Sequence, residues 1–182
     1  MRLSLYEFET GAEAIGGNRV IYDVAREEAH FGAASVEGRA LVWQVDDKLE
    51  DVEGALLSRQ LALDPSSAWI VRCDRIDFPL GGIAYLHTHP GPGIRYLLQG
   101  EIEIQTEGRS SVYAPGGAWC ESGADPVYAV ASQHRETAFV RVLLLPAEWA
   151  GKRTIHYVDP ADEDKPKLQK ATVFFDYPIS LR

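Results

Sequence analysis

From Ala68 onward, apolar and polar side chains alternate with a period of two, in short runs rich in β-branched and aromatic residues and cut at intervals by Gly and Pro. The run "AWIVRCDRIDF" puts Ile70, Arg72, Asp74 and Ile76 on one face and Val71, Cys73, Arg75 and Asp77 on the other. "PLGG" breaks it, "IAYLHTH" opens a new strand, and "GPG" turns the chain into "IRYLLQG", whose terminal Gly100 allows a tight connection into "EIEIQTEG". There Ile102 and Ile104 alternate with acids, the mark of one buried and one wet face. "SSVYAPGGAWCESGADPVYAVAS" predicts two further short strands around glycine turns, and "TAFVRVLLLP" is apolar and long enough for a central strand. Beyond Pro146, "GKRTIHYVD" reads as a strand, "PADEDKPKLQK" as a polar loop and "TVFFDYPISL" as a final apolar strand. A strand so rich in aromatics has to pack across the domain or onto a second subunit, because an unpaired apolar edge invites association. Short antiparallel strands joined by glycine turns predict an all-β sandwich or small barrel.

Ahead of this region the period changes. In "DDKLEDVEGALLSRQ", Leu49, Val52, Leu56 and Leu57 fall at helical spacing, with Asp46 or Asp47 as cap and Gly54 as a weak point. "AREEAHFGAA" offers a second, shorter helix with a thinner apolar pattern. The expected organisation is one structural domain: an N-terminal extension with a helix over 1–65, a β core over 66–146 and a C-terminal strand arm over 147–182.

Composition narrows the partners. With 46% apolar residues, 182 residues bury a real core. The formal net charge of −9, from 18 Lys+Arg against 27 Asp+Glu, repels a phosphate backbone, and no basic cluster reverses it locally, so nucleic acid is not an expected partner. Glu7 and Glu9 interrupt the start before a signal-peptide core builds up, and no run approaches a membrane span. Cys73 and Cys120 allow at most one bridge and read as buried thiols, so a cytoplasmic protein is expected.

The candidate chemistry lies in "HTHPGPGIR". Side chains two apart on a strand share a face, so His87 and His89 aim together, as a start for Zn, Fe, Mn, Ni or Cu or as a pair hydrogen-bonded at a barrel mouth. Arg95, by the same alternation, faces inward with Leu97, and a buried guanidinium needs an anion: a ligand carboxylate, or an internal partner such as Glu121 or Glu103. Cys120, with no adjacent Lys or His, reads as inert packing.

The stretch "GGIAYLHTHPGPGIRYLLQGEIEI" resembles the first sequence motif of the cupin superfamily, with Gly81, His87, His89, the bend Pro90-Gly91 and Gly100 at the family spacing. "APGGAWCESGADPVYAVAS" occupies the place of the second motif. The resemblance implies a cupin-type β-barrel or jelly roll of two packed antiparallel sheets around a ligand pocket, carried here with a short helical N-terminal extension. Two ligands of the family pattern are missing: the motif glutamate falls on Gly93, and no histidine follows near Val127 or Tyr128 until His134. Two imidazoles alone hold a metal weakly, so a third ligand has to be recruited, and Glu121, facing with Trp119, is the first choice, with a surface role as its alternative. Tyr128, His134, His30 and His156 are weaker candidates, and Tyr85, Trp119 and Tyr128 are candidate pocket walls.

Two functions from different classes follow. One is an enzyme with a divalent metal on His87, His89 and Glu121, acting on a small organic acid held by Arg95, with Glu121 or Tyr128 in proton transfer. The other is a barrel that binds a small carboxylate-bearing or aromatic ligand without catalysis. Either is expected as a homodimer.

Overall fold

In the computed structural model, which describes residues 1–47 and 53–181, the short-period pattern extends through both described segments. Among the described residues, three five-stranded antiparallel sheets stack as layers. The first has the order β3-β2-β4-β1-β5, from β1 (Arg2–Phe8), β2 (Gly11–Asp23), β3 (Glu28–Glu37), β4 (Ala40–Asp46) and β5 (Leu57–Gln60). The middle sheet, β11-β8-β13-β6-β15, is built from β6 (Trp69–Phe78), β8 (Gly93–Gln99), β11 (Ala118–Glu121), β13 (Thr137–Pro146) and β15 (Lys170–Ile179). The outer sheet, β10-β9-β12-β7-β14, uses β7 (Ile83–Thr88), β9 (Ile102–Thr106), β10 (Arg109–Tyr113), β12 (Val127–Ala131) and β14 (His156–Tyr157).

The middle sheet has no wet face at its centre. Its Val71, Cys73, Ile94, Tyr96, Val140 and Val142 pack on Leu3, Leu5, Val20, Tyr22, Leu41 and Trp43 of the first sheet. Its other face turns Ile76, Leu97 and Phe139 toward Ile102, Ile104, Val127 and Ala129 of the outer sheet. This is why "TAFVRVLLLP" is apolar nearly throughout: β13 is buried on both sides. Gly100, at φ +79°, makes the tight turn from β8 to β9, where a Cβ would collide with the Glu136 carbonyl and Thr137.

The helical N-terminal extension is corrected to a sheet. Of the expected helix over 46–60, Asp46 ends β4, Gly54 is in a turn and Leu57–Gln60 is an edge strand whose Leu57 lies opposite Leu5 of β1; residues 48–52 lie outside the described residues. The second expected helix is a hairpin. Asp23 accepts the N–H groups of Ala25 and Arg26, Glu27 turns the chain at φ +55°, and Ala29 and Phe31 of β3 face the core on a period of two. At Leu57, tertiary pairing with β1 overrides the helical spacing.

Further along, "SSVY" is itself the strand β10, so that stretch carries three strands where two were expected. "GKRTIHYVD" contributes only the two-residue bridge of β14 to β7. The final strand β15 packs within its own chain, antiparallel to β6 from Lys170 opposite Asp77 to Ile179 opposite Trp69. Among the described residues no helix is long and apolar enough to cross a membrane.

Candidate functional site

Register places the site. Residues directly opposite in an antiparallel pair share a face, so Trp119, Arg95, Arg141 and Asp74 form one inward row across the middle sheet. The next row, two residues along, is Glu121, Gly93, Leu143, Arg72 and Asp176. Opposite them, His87 and His89 project inward from β7 and its C-terminal end, and both are buried. Between the sheets lies a cavity of about 470 Å³, lined by both histidines, Trp119, Glu121, Arg72, Asp74 and Arg141, with an apolar wall that includes Ile76, Phe78, Ile104 and Phe139.

The two imidazoles are oriented by backbone carbonyls: Nδ1 of His87 by Tyr85 O at 2.6 Å, and Nδ1 of His89 by Thr154 O at 2.9 Å. A carbonyl only accepts, so each Nδ1 carries the proton and each neutral ring presents a bare lone pair at Nε2. These two atoms face each other at 3.2 Å. Burial keeps both rings neutral: it lowers the pKa of His87, and lowers that of His89 well below the usual range with help from the Arg141 and Arg95 charges. Two lone pairs held this close repel unless a cation or a shared donor lies between them. Nη1 of Arg141 approaches His89 Nε2 at 3.4 Å, while its Nε and Nη2 clasp Asp74 at 2.6 and 3.0 Å.

Gly81 lies at the turn into β7, both imidazoles face the interior of a double-sheet barrel, and Gly100 closes the β8–β9 turn, so the motif read from the sequence sits in its structural context. This all-β double-sheet barrel is the architecture that the motif's resemblance to cupins implied. No protein-family model matches the chain, and no curated protein sequence matches it. Among solved structures, the chain is similar to an RmlC-like cupin from Shewanella frigidimarina NCIMB 400, at 14% identity and a TM-score of 0.39, over 50% of this chain and 94% of that one. It is similar to KdgF from Halomonas sp. at 23% identity and a TM-score of 0.35, over 43% of this chain and 70% of the other. The polyketide cyclase RemF from Streptomyces resistomycificus gives 18% identity and a TM-score of 0.40, over 57% and 72%.

The resemblance read from the motif implies a divalent metal, and the geometry of the histidine pair is compatible with one. A separation of 3.2 Å is what two nitrogen ligands take up when each lies about 2.0–2.1 Å from one ion near a tetrahedral angle. Carbonyl-anchored Nδ1 atoms are also the usual outer support of such ligands. The third donor is held back. Glu121 Oε2 is 3.8 Å from His89 Nε2, its Oε1 accepts the Trp119 indole N–H at 2.8 Å, and Arg95 Nη2 lies 2.5 Å from Oε2. Among the described residues no group of three or more His, Cys, Asp and Glu side chains converges as a metal site.

The other predicted residues separate clearly. Arg95 is inward but fully buried beneath the cavity wall, given over to Glu121 and to Gly93 O at 2.7 Å, so it does not reach the cavity as a substrate clamp. Tyr128 faces away from Val127 and Ala129, into a surface groove beside Leu86 and Gln105, and is not brought to the site as an acid, base or ligand. Tyr85 stands under the Lys165 ammonium, outside the cavity lining. His30 is on β3 of the first sheet, His134 on an exposed loop and His156 against the Trp149 ring. Glu103 bonds Ser110 and Gln105 at the surface. Cys73 and Cys120 are both free thiols, and burial raises the pKa of each, so neither is a ready nucleophile.

Sequence reasoning passed over Arg141 and over the roles of Arg72 and Asp74, which were read only as one strand face. An arginine inside "TAFVRVLLLP" was the available signal, because a charge in a doubly buried strand has to be paired. Thr154 had no signal: its contribution is a main-chain carbonyl.

Proposed function

We propose that this barrel is the chamber of an enzyme acting on a small organic acid, with a divalent metal held by His87 and His89 and with Glu121 as the carboxylate in reach. The observation that carries this reading is the pair of Nε2 lone pairs facing each other at 3.2 Å with both Nδ1 atoms committed to carbonyls. When bound, the metal supplies Lewis-acid polarisation or a site for an activated small molecule. The chain's own residues do the rest. Arg141 presents Nη1 beside His89 for an acidic group, Asp74 fixes that guanidinium, and the apolar wall from Ile76 to Phe139 keeps bulk water from the reacting atoms.

A second reading, a barrel that binds its ligand without catalysis, is favoured by one observation: Glu121 is already engaged by Arg95 and Trp119. Elemental analysis of untagged protein beside His87→Ala separates the two. About one metal per chain, lost in the variant, is the expected result. Absence of metal after reconstitution with Fe, Zn, Mn and Ni, or metal retained in a His87→Ala/His89→Ala protein, would overturn the metal-centre reading and leave the binding barrel.

A further inference from the structure

With no side chain at Gly93, the charged group that Glu121 of β11 meets on the neighbouring strand β8 is Arg95, two residues further along the same inward face. The other buried guanidinium groups of this sheet have carboxylates of their own, Arg141 in Asp74 and Arg72 in Asp176. Arg95 is 0% exposed, its Nε meets no hydrogen-bond partner, and its Nη1 donates to the Gly93 carbonyl. Among the described residues, Glu121 is the only carboxylate ion-paired with it. Among the same residues, Glu121 is also the only carboxylate within 4.0 Å of a nitrogen of the histidine pair. One acid is thus shared between a fixed buried cation and the place of the metal.

The distances show which of the two holds it. Two ligands each about 2.0–2.2 Å from one tetrahedral ion stand roughly 3.3–3.5 Å apart. Glu121 Oε2 is 3.8 Å from His89 Nε2, about 0.3–0.5 Å beyond a ligand's place. It is kept there by Arg95 Nη2, 2.5 Å from the same Oε2, while Oε1 accepts the Trp119 indole N–H at 2.8 Å. Drawing Oε2 onto an ion stretches the Arg95 contact and deprives a buried guanidinium of its anion, so each gain in metal–carboxylate bonding is offset by a loss at Arg95.

We infer that Arg95 is a positioning residue that competes with the metal for Glu121 and so sets how tightly the histidine pair holds an ion. This rests on the metal-centre reading above and deepens it. While Arg95 keeps its grip, the ion is held mainly by two neutral imidazoles, its affinity stays low, and coordination positions are left for the oxygen atoms of a bound acid.

The test is the Zn2+ affinity of the full chain, measured by competition with a chromophoric chelator for the wild type, Arg95→Met, Glu121→Gln and the double variant, each checked for a cooperative unfolding transition. Arg95→Met is expected to bind Zn2+ about tenfold or more tighter, the equivalent of releasing one charge-assisted hydrogen bond. Glu121→Gln is expected to weaken Zn2+ binding by about threefold or less, because the carboxylate is committed elsewhere. Arg95→Met/Glu121→Gln should lie within about threefold of Glu121→Gln, since the arginine acts through that carboxylate. A folded Arg95→Met chain that binds no tighter than the wild type, or a gain that persists in the Gln background, would overturn the inference. Should Arg95→Met fail to fold, Glu121→Gln decides alone: a loss of more than about threefold there marks the carboxylate as a full ligand and overturns the inference as well. Zn2+ bound through the histidines without these shifts sinks this inference only, whereas no Zn2+ uptake by the wild type or by folded Arg95→Met sinks the metal-centre reading with it.

Discussion

Gly93 has no side chain because its position has no room for one: a Cβ there would run into Val142 O and the Leu143 side chain of β13. Directly across the strand pair stands Glu121. A carboxylate thus stands one strand over from Gly93, in the same row, and that juxtaposition cannot be read from spacing along the chain. Gly93→Ala is expected to cost about 1–3 kcal/mol, read as a lower urea midpoint with an unchanged slope. The Arg141–Asp74 pair is buried, with side-chain exposures of 7% and 2%, so Arg141→Met strands a carboxylate and should cost about 3–5 kcal/mol. Combining it with Asp74→Leu should recover most of that loss, since two apolar groups replace the pair. A double variant as unstable as the single one would show that the arginine stabilises through something other than Asp74. Of this site, H-x-H was legible and so was the facing of Glu121; the pairing of Arg95 with Glu121, left open beside a ligand role, is settled by a 2.5 Å approach.

At the scale of elements, β15 is the instructive strand. Its aromatic pattern predicted a buried arm, and its place on β6 is fixed by charge as well as by register. Asp176 takes two hydrogen bonds from Arg72 at 2.6 Å each and a third from the Gly151 N–H at 2.7 Å. Burial alone would raise the Asp176 pKa, but the Arg72 bonds and the Gly151 N–H outweigh it and hold the carboxyl below its ordinary value. A depressed carboxyl contributes stability that is present above the unfolded value, about 3.9, and is lost as pH falls through the folded one. Hydrogen exchange of the β15 amides is therefore expected to accelerate below about pH 4 ahead of β13, and Asp176→Asn should remove this pH step. A β15 that exchanges in step with β13 at every pH would count against the Arg72 latch. The N-terminal elements were the least legible: a few apolar positions at helical spacing do not decide between helix and strand until a partner such as β1 or β2 is in place.

The whole molecule is a three-layer stack in which the first sheet covers the back of the barrel. Trp43, 1% exposed, lies between these layers and donates its indole N–H to Ile94 O at 3.2 Å. Trp43→Ala is expected to cost about 3–5 kcal/mol while leaving the cavity on the other face of the middle sheet intact, so stability and binding of the proposed metal should separate in one variant. A chain starting at residue 66 would expose Val71, Cys73, Ile94, Tyr96, Val140 and Val142 together, and is expected to aggregate where the full chain does not. Monomeric, two-state unfolding of that shorter chain would show that the barrel stands alone. By itself the sequence determined what depends on period and on neighbours in the chain: an all-β core, the strands β6, β7, β8, β9, β13 and β15, a shared face for His87 and His89, and glycine turns at fixed places. Only the tertiary structure decided what depends on register between distant strands. It set Glu121 against Arg95, Arg141 against Asp74, and the Thr154 carbonyl behind His89. Side-chain direction along a strand follows from local geometry, whereas the partner a buried charge meets is fixed by which strands pair and how they are aligned.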